Sequence, residues 1–410
     1  MSSEWVELPL GEFVRLQRGH DLTAAEQRPG PVPVMGSAGA NGTHDEALAK
    51  GPGVVIGRSG ASIGRVHFAE VDYWPHNTCL YVTDFLGNSE RFAYYLLQTL
   101  NLAAFNSGSA QPSLNRNFVY SIRLRVPDRR EQDAIVEVLK ALDDRIALLR
   151  ETNATLEAIA QALFKSWFVD FDPVRAKQHG LVPAGMDEGT AALFPDRFEA
   201  SALGLVPQGW RGGTLNDLSD LNSQSWSGRH HPERVRYLDL ANVKDNEVAT
   251  VTEFAFDEAP SRARRVLRSG DTIVGTVRPG NRSFAFIHEP VPDLTASTGF
   301  AVLSPTVSEN TAFVYLAATQ DANIEHLSHV ADGGAYPAVR PDVVSALACV
   351  VPSAEILRAF NAVACPLLVK VSANQLQAQT LATLRDTLLP RLISGQLRLP
   401  EALAEMEEAA

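Results

Sequence analysis

Three cysteines in 410 residues, Cys79, Cys349 and Cys365, stand far apart and form no C-x-x-C pair. That spacing excludes a disulfide framework and a cysteine-based metal site, and suits buried thiols in a reducing compartment. No G-x-x-x-x-G-K-[ST] and no G-x-G-x-x-G after a strand is present, so neither nucleotide cradle is written here. The GRSGAS of 57–62 misses G-x-S-x-G because its second glycine comes one position early. His230-His231 and the HLSH of 326–329 offer imidazoles without a third ligand, so no metal is expected. The N/D-P-P-Y loop of adenine-methylating enzymes is also missing. No run of about 18 apolar residues suggests a membrane span. The opening MSSEWVELPLGEF lacks the basic start and apolar stretch of a secretory signal, so a cytoplasmic protein is expected. Catalysis is not written in this chain.

Charge is unevenly spread. The net charge is −12, which argues against a general polyanion binder. Residues 1–130 carry 12 basic and 12 acidic side chains, whereas 131–208 carry 7 and 13. A nucleic-acid role therefore needs local basic patches and a grip on phosphate shared with a partner.

The sequence repeats itself. EWVELPLGEFV (4–14) aligns with GWRGGTLNDLS (209–219), GPGVVIGRSG (51–60) with RSGDTIVGTV (268–277), and AQPSLNRNFVYSIRLRVP (110–127) with AYPAVRPDVVSALACVVP (335–352). The offset widens from 205 to 217 to 225, as loops lengthened in the second copy would make it. Each copy opens with short β-branched and aromatic runs punctuated by Gly, Pro and Asn, and ends in a long helix. The expected fold is α+β: two β-rich modules joined by two long antiparallel coiled-coil helices, with a pseudo-twofold internal repeat. The segments are 1–126, a helix at 127–171, an ordered surface connector at 172–208, 209–352, and a second helix at 353–397 with a tail to 410. A helix is also expected near 90–104.

In the first long helix Leu142, Ile146, Leu149, Asn153 and Leu156 step by 4, 3, 4 and 3, a heptad seam. Adding 225 reaches a second seam that includes Val371, Asn374, Leu381 and Leu388. Paired antiparallel with positions summing to 527, the seams put Asn153 opposite Asn374, where each amide satisfies the other. The alternative, that each helix only covers its own module, stays open. Pro366 should bend the second helix or delay its start, while Asp128 and Glu131 read as an N-cap and a first-turn charge.

Gly-rich turns carrying arginine recur in both copies. The first copy offers Arg58, Ser59 and Arg65, then Gln111, Asn115 and Arg116. The second offers Arg278, Asn281 and Arg282, then Tyr336 and Arg340, with Arg265 in an arginine-dense stretch at 261–270. Arg, Asn and Gln make bidentate contacts to purine edges, and Ser and Arg hold phosphates. A solvated face on ordinary β-turns is the plainer reading of any one of these residues.

The helical stretches PDRREQDAIVEVLKALDDRIALLRETNATLEAIAQALFKSWFVDFDPVRAK (127–177) and QTLATLRDTLLPRLISGQL (379–397), with the turn GRSGASIGRVHF, resemble the specificity (S) subunit of type I restriction-modification systems. The resemblance runs along essentially the whole chain. It implies two target-recognition domains, each reading half of an interrupted double-stranded DNA sequence, with the helices as a ruler. It also implies docking of two methyltransferase (modification) subunits, which carry S-adenosylmethionine. ATP- and Mg-dependent restriction subunits would join in some complexes, and this chain would hold no cofactor. Trp167, Phe168 and Phe171 on the outer helix faces are the expected docking points, although Trp167 also stands on the seam spacing. A self-contained hydrolase or nuclease and a protein-binding scaffold remain the other readings.

Overall fold

Asp128 accepts the Glu131 amide at 2.9 Å and so begins helix α1, Arg129–Phe168. Helix α2, Ala354–Ile393, has the same 40-residue length. Pro366 lies inside α2 and does not delay it, since the helix begins directly after Ser353. The computed structural model describes residues 5–107, 113–334 and 336–409, the last four in backbone only.

The chain divides into two units. One comprises residues up to Ala147 together with those from Ala378 onward, and the other is Leu148–Gln377. The expected linear segments are thus redistributed, because each long helix contributes one part to each unit.

In the first unit a four-stranded antiparallel sheet runs Arg15–Arg18, Cys79–Asp84, Gly53–Gly57, Val66–Ala69. A second sheet orders Gly39–His44, Val32–Gly36 and Trp74–Pro75, the last two strands parallel. Val6–Pro9 pairs with Arg123–Val126, bringing the module's two ends together. The central strand Gly53–Gly57 is buried throughout and sorts its side chains by alternation. Val54 and Ile56 enter the cluster of Leu10, Phe13, Phe92 and Leu139, while Val55 joins Met35, Tyr73 and Cys79 on the other face. The expected helix near 90–104 is Glu90–Gln98, followed by a short 3₁₀ turn at Leu102–Phe105.

The second unit repeats this order. Its first sheet runs Ser219–Leu221, Phe300–Pro305, Thr272–Gly275, Phe284–Phe286, again wholly antiparallel. Its second runs Thr252–Ala255, Arg234–Leu238, Leu294–Ser297, Ala263–Val266, with the middle pair parallel. Arg211–Thr214 pairs with Ala348–Val351 as the closing ribbon. The duplication seen in the sequence is therefore a duplication of topology. The extra strand Ala263–Val266 falls between 219 and 268, where the widening offset records added length.

Both long helices pack within each unit. In the first, Ile135, Leu139 and Leu142 share a core with Leu388 and Leu392. In the second, Ala160, Phe164 and Trp167 share one with Phe360, Ala364 and Leu368. The sense is antiparallel: Asn153 meets Asn374, while Trp167 lies 5.4 Å from Phe360. In the first unit Asp143 bonds Arg385 at 2.8 Å, and Glu131 lies 3.9 Å from Arg398, just past the end of α2. The helices thus pair with each other and cover their modules, so the two readings of the seam merge. Over 18 residues α2 reaches a mean hydropathy of 1.5, enough by length and composition for a membrane span. A third of that stretch is buried, Phe360, Ala364, Leu368 and Val371 on the seam among it.

Candidate nucleic-acid interface

In the first unit the candidate interface is built at the end of Gly53–Gly57. The turn closes through Gly57 N–H donating to Arg65 O at 2.7 Å and Gly64 N–H donating to Gly57 O at 2.8 Å. Gly64 has φ +77, and a Cβ there would lie 2.6 Å from the Ala103 amide, so only glycine fits. The closed turn presents Arg58 and Ser59 to a distant stretch of chain. Leu114 N–H donates to Arg58 O at 2.8 Å, and Ser59 bridges Ser113. Asn115 then caps Arg116–Val119 by accepting the Asn117 amide at 3.0 Å.

The result is a concavity of about 820 Å³ lined by Gln17, Arg18, His20, Arg58, Asn115 and Arg116, among others. Arg58 and Arg116 reach only backbone carbonyls, those of Asn77 at 3.4 Å and Leu16 at 3.0 Å. Among the described residues neither forms an ion pair, and the Asp21 carboxylate that also lines the hollow pairs with Arg18 at 3.4 Å. Arg65 is exposed on the far limb of the turn and does not line the hollow. Gln111 lies outside the described residues.

The second unit repeats the device with different chemistry. Thr272–Gly275 leads into Arg278, whose amide donates to Pro337 O at 2.7 Å, and Val277 bridges Ala338. The Arg278 guanidinium sits 4.6 Å over the ring of Tyr336, which is 72% exposed. With Asn281, Arg282, Lys244 and Asp239 they line a hollow of about 650 Å³.

Three expected members of this group do something else. Arg282 is held by the carboxylates of Asp245 and Asp321, the latter at 2.7 Å, so its charge is already answered. Arg340 pairs with Asp342 at 3.2 Å and borders a separate hollow with Asn323 and His326. Arg265 lies in the second sheet, donates to Ser225 Oγ at 3.1 Å, and has its pKa lowered by burial. None of these three contributes a free charge beside Arg278. Gln17, Arg18 and His20 were missed in the sequence. Their signal was a run of hydrogen-bonding side chains in RLQRGH, on and just past an edge strand.

The seam residues occupy the helix interface. Leu142, Ile146, Leu149, Val371 and Leu388 are buried, and Leu156 and Leu381 half-buried. Asn153 and Asn374 are buried and bonded to each other.

The aromatics expected at a docking face are elsewhere. Trp167, Phe168 and Phe171 are 5%, 4% and 9% exposed. Phe168 stacks edgewise on Phe360 and Phe313, both at 4.8 Å; Trp167 lies 5.0 Å from Phe194 and Phe171 5.9 Å from Trp210. The reason is the connector: 172–208 folds into two short helices and a hairpin, and its Phe194 and Val206 close over these rings. They form the core of the second unit and are not a free surface. The cysteines are likewise structural, with burial pushing the Cys79 and Cys349 thiols up to about 12.

A family model described as the type I restriction modification DNA specificity domain matches residues 2–158. The chain is 26% identical over 331 residues to the HindI specificity subunit of Haemophilus influenzae, covering 70% of this chain and 71% of that protein. It is 24% identical over 362 residues to the MjaIX specificity subunit of Methanocaldococcus jannaschii, covering 85% and 78%. In structure it resembles the crystallised type I S subunit from M. genitalium, with a TM-score of 0.62 at 16% identity over 95% of this chain and 96% of that one. Residues 2–158 thus match the type I restriction modification DNA specificity domain, and along most of its length the chain is similar to specificity subunits of type I restriction-modification systems.

Proposed function

We propose that this non-catalytic, DNA-recognising subunit reads an interrupted, two-part target, one half with each module. The observation that carries the reading is the recurrence of one device. A closed turn holds Arg58 beside Leu114–Arg116 in one module, and the corresponding turn holds Arg278 beside Tyr336–Ala338 in the other. Arg58, Asn115 and Arg116 offer base-edge and phosphate chemistry in the first hollow; Arg278, Asn281 and Tyr336 offer it in the second.

The paired helices act as the spacer between the readers. Two methyltransferase subunits dock on the helices and bring S-adenosylmethionine, and each takes a flipped adenine from its half-site. Restriction subunits with ATP and Mg join where the system has them, in the cytoplasm, and this chain binds no cofactor. Leu148, Ile159 and Val363, apolar yet 44–52% exposed on the helices, replace the buried aromatics as docking points. The net charge of −12 is tolerable because the methyltransferases supply much of the phosphate grip.

Mapping methylated adenines in the host genome with and without this gene tests the reading. Loss of one two-part motif with a fixed gap is expected. An unchanged methylation pattern, with the chain still bound to its partners, would leave only a protein scaffold.

A further inference from the structure

Between the extra length of the second module and the helix pair lies a hairpin, Val243–Lys244 against Glu247–Val248. Its two turn residues, Asp245 and Asn246, have φ of 46° and 65°. Two successive left-handed residues make the hairpin turn that Asp and Asn tolerate best after glycine. Such a tip ordinarily faces water, yet Asn246 is only 3% exposed.

All four polar atoms of Asn246 are engaged. Its amide N–H donates to Phe284 O at 2.9 Å, and its Oδ1 accepts the Phe286 amide at 2.8 Å. Its Nδ2 donates to Glu157 Oε1 on α1, and its carbonyl accepts Gln375 Nε2 on α2 at 2.8 Å. Asp245 extends the tie: its amide donates to Arg282 O at 2.9 Å and its carboxylate holds the Arg282 guanidinium. Arg282 closes the turn that carries Arg278 and Asn281. One residue therefore links both long helices, next to the Asn153–Asn374 layer, with the strand and turn that form the reading hollow.

We infer that Asn246, with Glu157 and Gln375, is a positioning residue that locks the Arg278–Arg282 turn to the helix pair, so that the second module accepts its half-site at one gap length only. The inference rests on the two-part reading proposed above. Its physical basis is tolerance. One base pair shifts a half-site by about 3.4 Å along the duplex and by roughly a tenth of a turn around it. A reader held by buried, saturated hydrogen bonds to two helices moves by much less, while a reader held by packing alone can follow the shift. Burial of Glu157 is costly to a carboxylate, with Asp245 and Glu247 nearby adding repulsion, and its Asn246 bond is what offsets that cost.

The test uses the full chain co-purified with its methyltransferase and duplexes carrying the genome-mapped target at the native gap and at gaps one base pair longer and shorter. Methylation rates are compared for wild type, Asn246→Gly, Glu157→Ala, Gln375→Ala and Glu157→Gln. Asn246→Gly keeps the left-handed backbone, and Gln375→Ala loosens the same tie without touching the hairpin. Wild type and Glu157→Gln, which keeps the acceptor, should favour the native gap strongly. The other three should lose at least tenfold of that preference while still methylating the native duplex. Folded variants that keep the wild-type preference would overturn the inference while leaving the two-part reading intact. A wild-type complex indifferent to gap length would overturn that reading and this inference together, and needs no variant to show it.

Discussion

Asn374 donates its side-chain amide to Asn153 Oδ1 at 2.8 Å, and Asn153 passes its own amide to the Val371 carbonyl at 3.2 Å. The pair is a hydrogen-bonded polar layer in an otherwise apolar seam. Replacing Asn153 by leucine strands the Asn374 amide, and replacing Asn374 by leucine strands Asn153 Oδ1, each at a cost of about 1–3 kcal/mol. Replacing both should cost less than the two singles together, because no orphan remains. Thermal unfolding of the three variants checks this; simple additivity of the losses would show that the amides do not depend on one another.

Phe168→Ala should act on stability and not on assembly. Its ring fills a core of Phe164, Phe313, Phe360 and Trp210, so truncation should cost about 3–5 kcal/mol. Leu148→Glu, at an exposed helix position, should instead weaken methyltransferase co-purification and leave the melting temperature nearly unchanged. Paired melting and pull-down measurements separate the two. If Phe168→Ala released the partner at an unaltered melting temperature, the aromatic cluster would have to be a surface after all.

Salt dependence should separate the arginines. Arg58 and Arg116 carry charges with no acidic partner among the described residues. Removing either should lower the slope of log affinity against log salt by about 1 where it meets a phosphate. Arg282→Gln should leave that slope unchanged, because Asp245 and Asp321 already occupy its charge, and should loosen the hairpin instead. Titrations at several salt concentrations on one duplex decide this, and a reduced slope for Arg282→Gln would contradict the assignment.

Glu157 predicts a pH effect. Burial raises its carboxyl pKa above the usual range, so the folded chain binds its proton more tightly than the unfolded chain does. The stability linked to that proton is fully present below the unfolded value of about 4.3 and is lost as pH rises through the folded value. Glu157→Gln, neutral at every pH and still able to accept from Asn246, should therefore melt higher than wild type at pH 7–8. Its advantage should shrink to nothing near pH 4. Melting curves across that range test the sign, and a constant advantage at all pH values would exclude titration as its source.

The parts that were legible in the sequence are those set by periodicity and repetition. The heptad steps from Leu142 to Leu156 placed a seam, the 527 sum aligned Asn153 with Asn374, and three aligned segments announced a doubled topology. What stayed hidden depended on long-range closure. Phe168 and Phe171 fall off the heptad spacing that Trp167 keeps, and Phe194 and Val206 of the folded-back connector join all three in the core. Arg282 looks like Arg58 until Asp245 and Asp321, 37 and 39 positions away, are brought to it. Asn246 sits in an ordinary polar tip, VKDNEV, whose burial no local pattern announces.

One consequence concerns the order in which the molecule can be finished. Leu388, Leu392, Ile393, Leu397 and Ala402 belong to the same core as Leu10, Phe13 and Phe92. On the ribosome, the module synthesised first must therefore wait with an open apolar flank until residues 388–402 have been made. The module encoded in between has all its own pieces by Gln377, so during translation it can close before its elder neighbour.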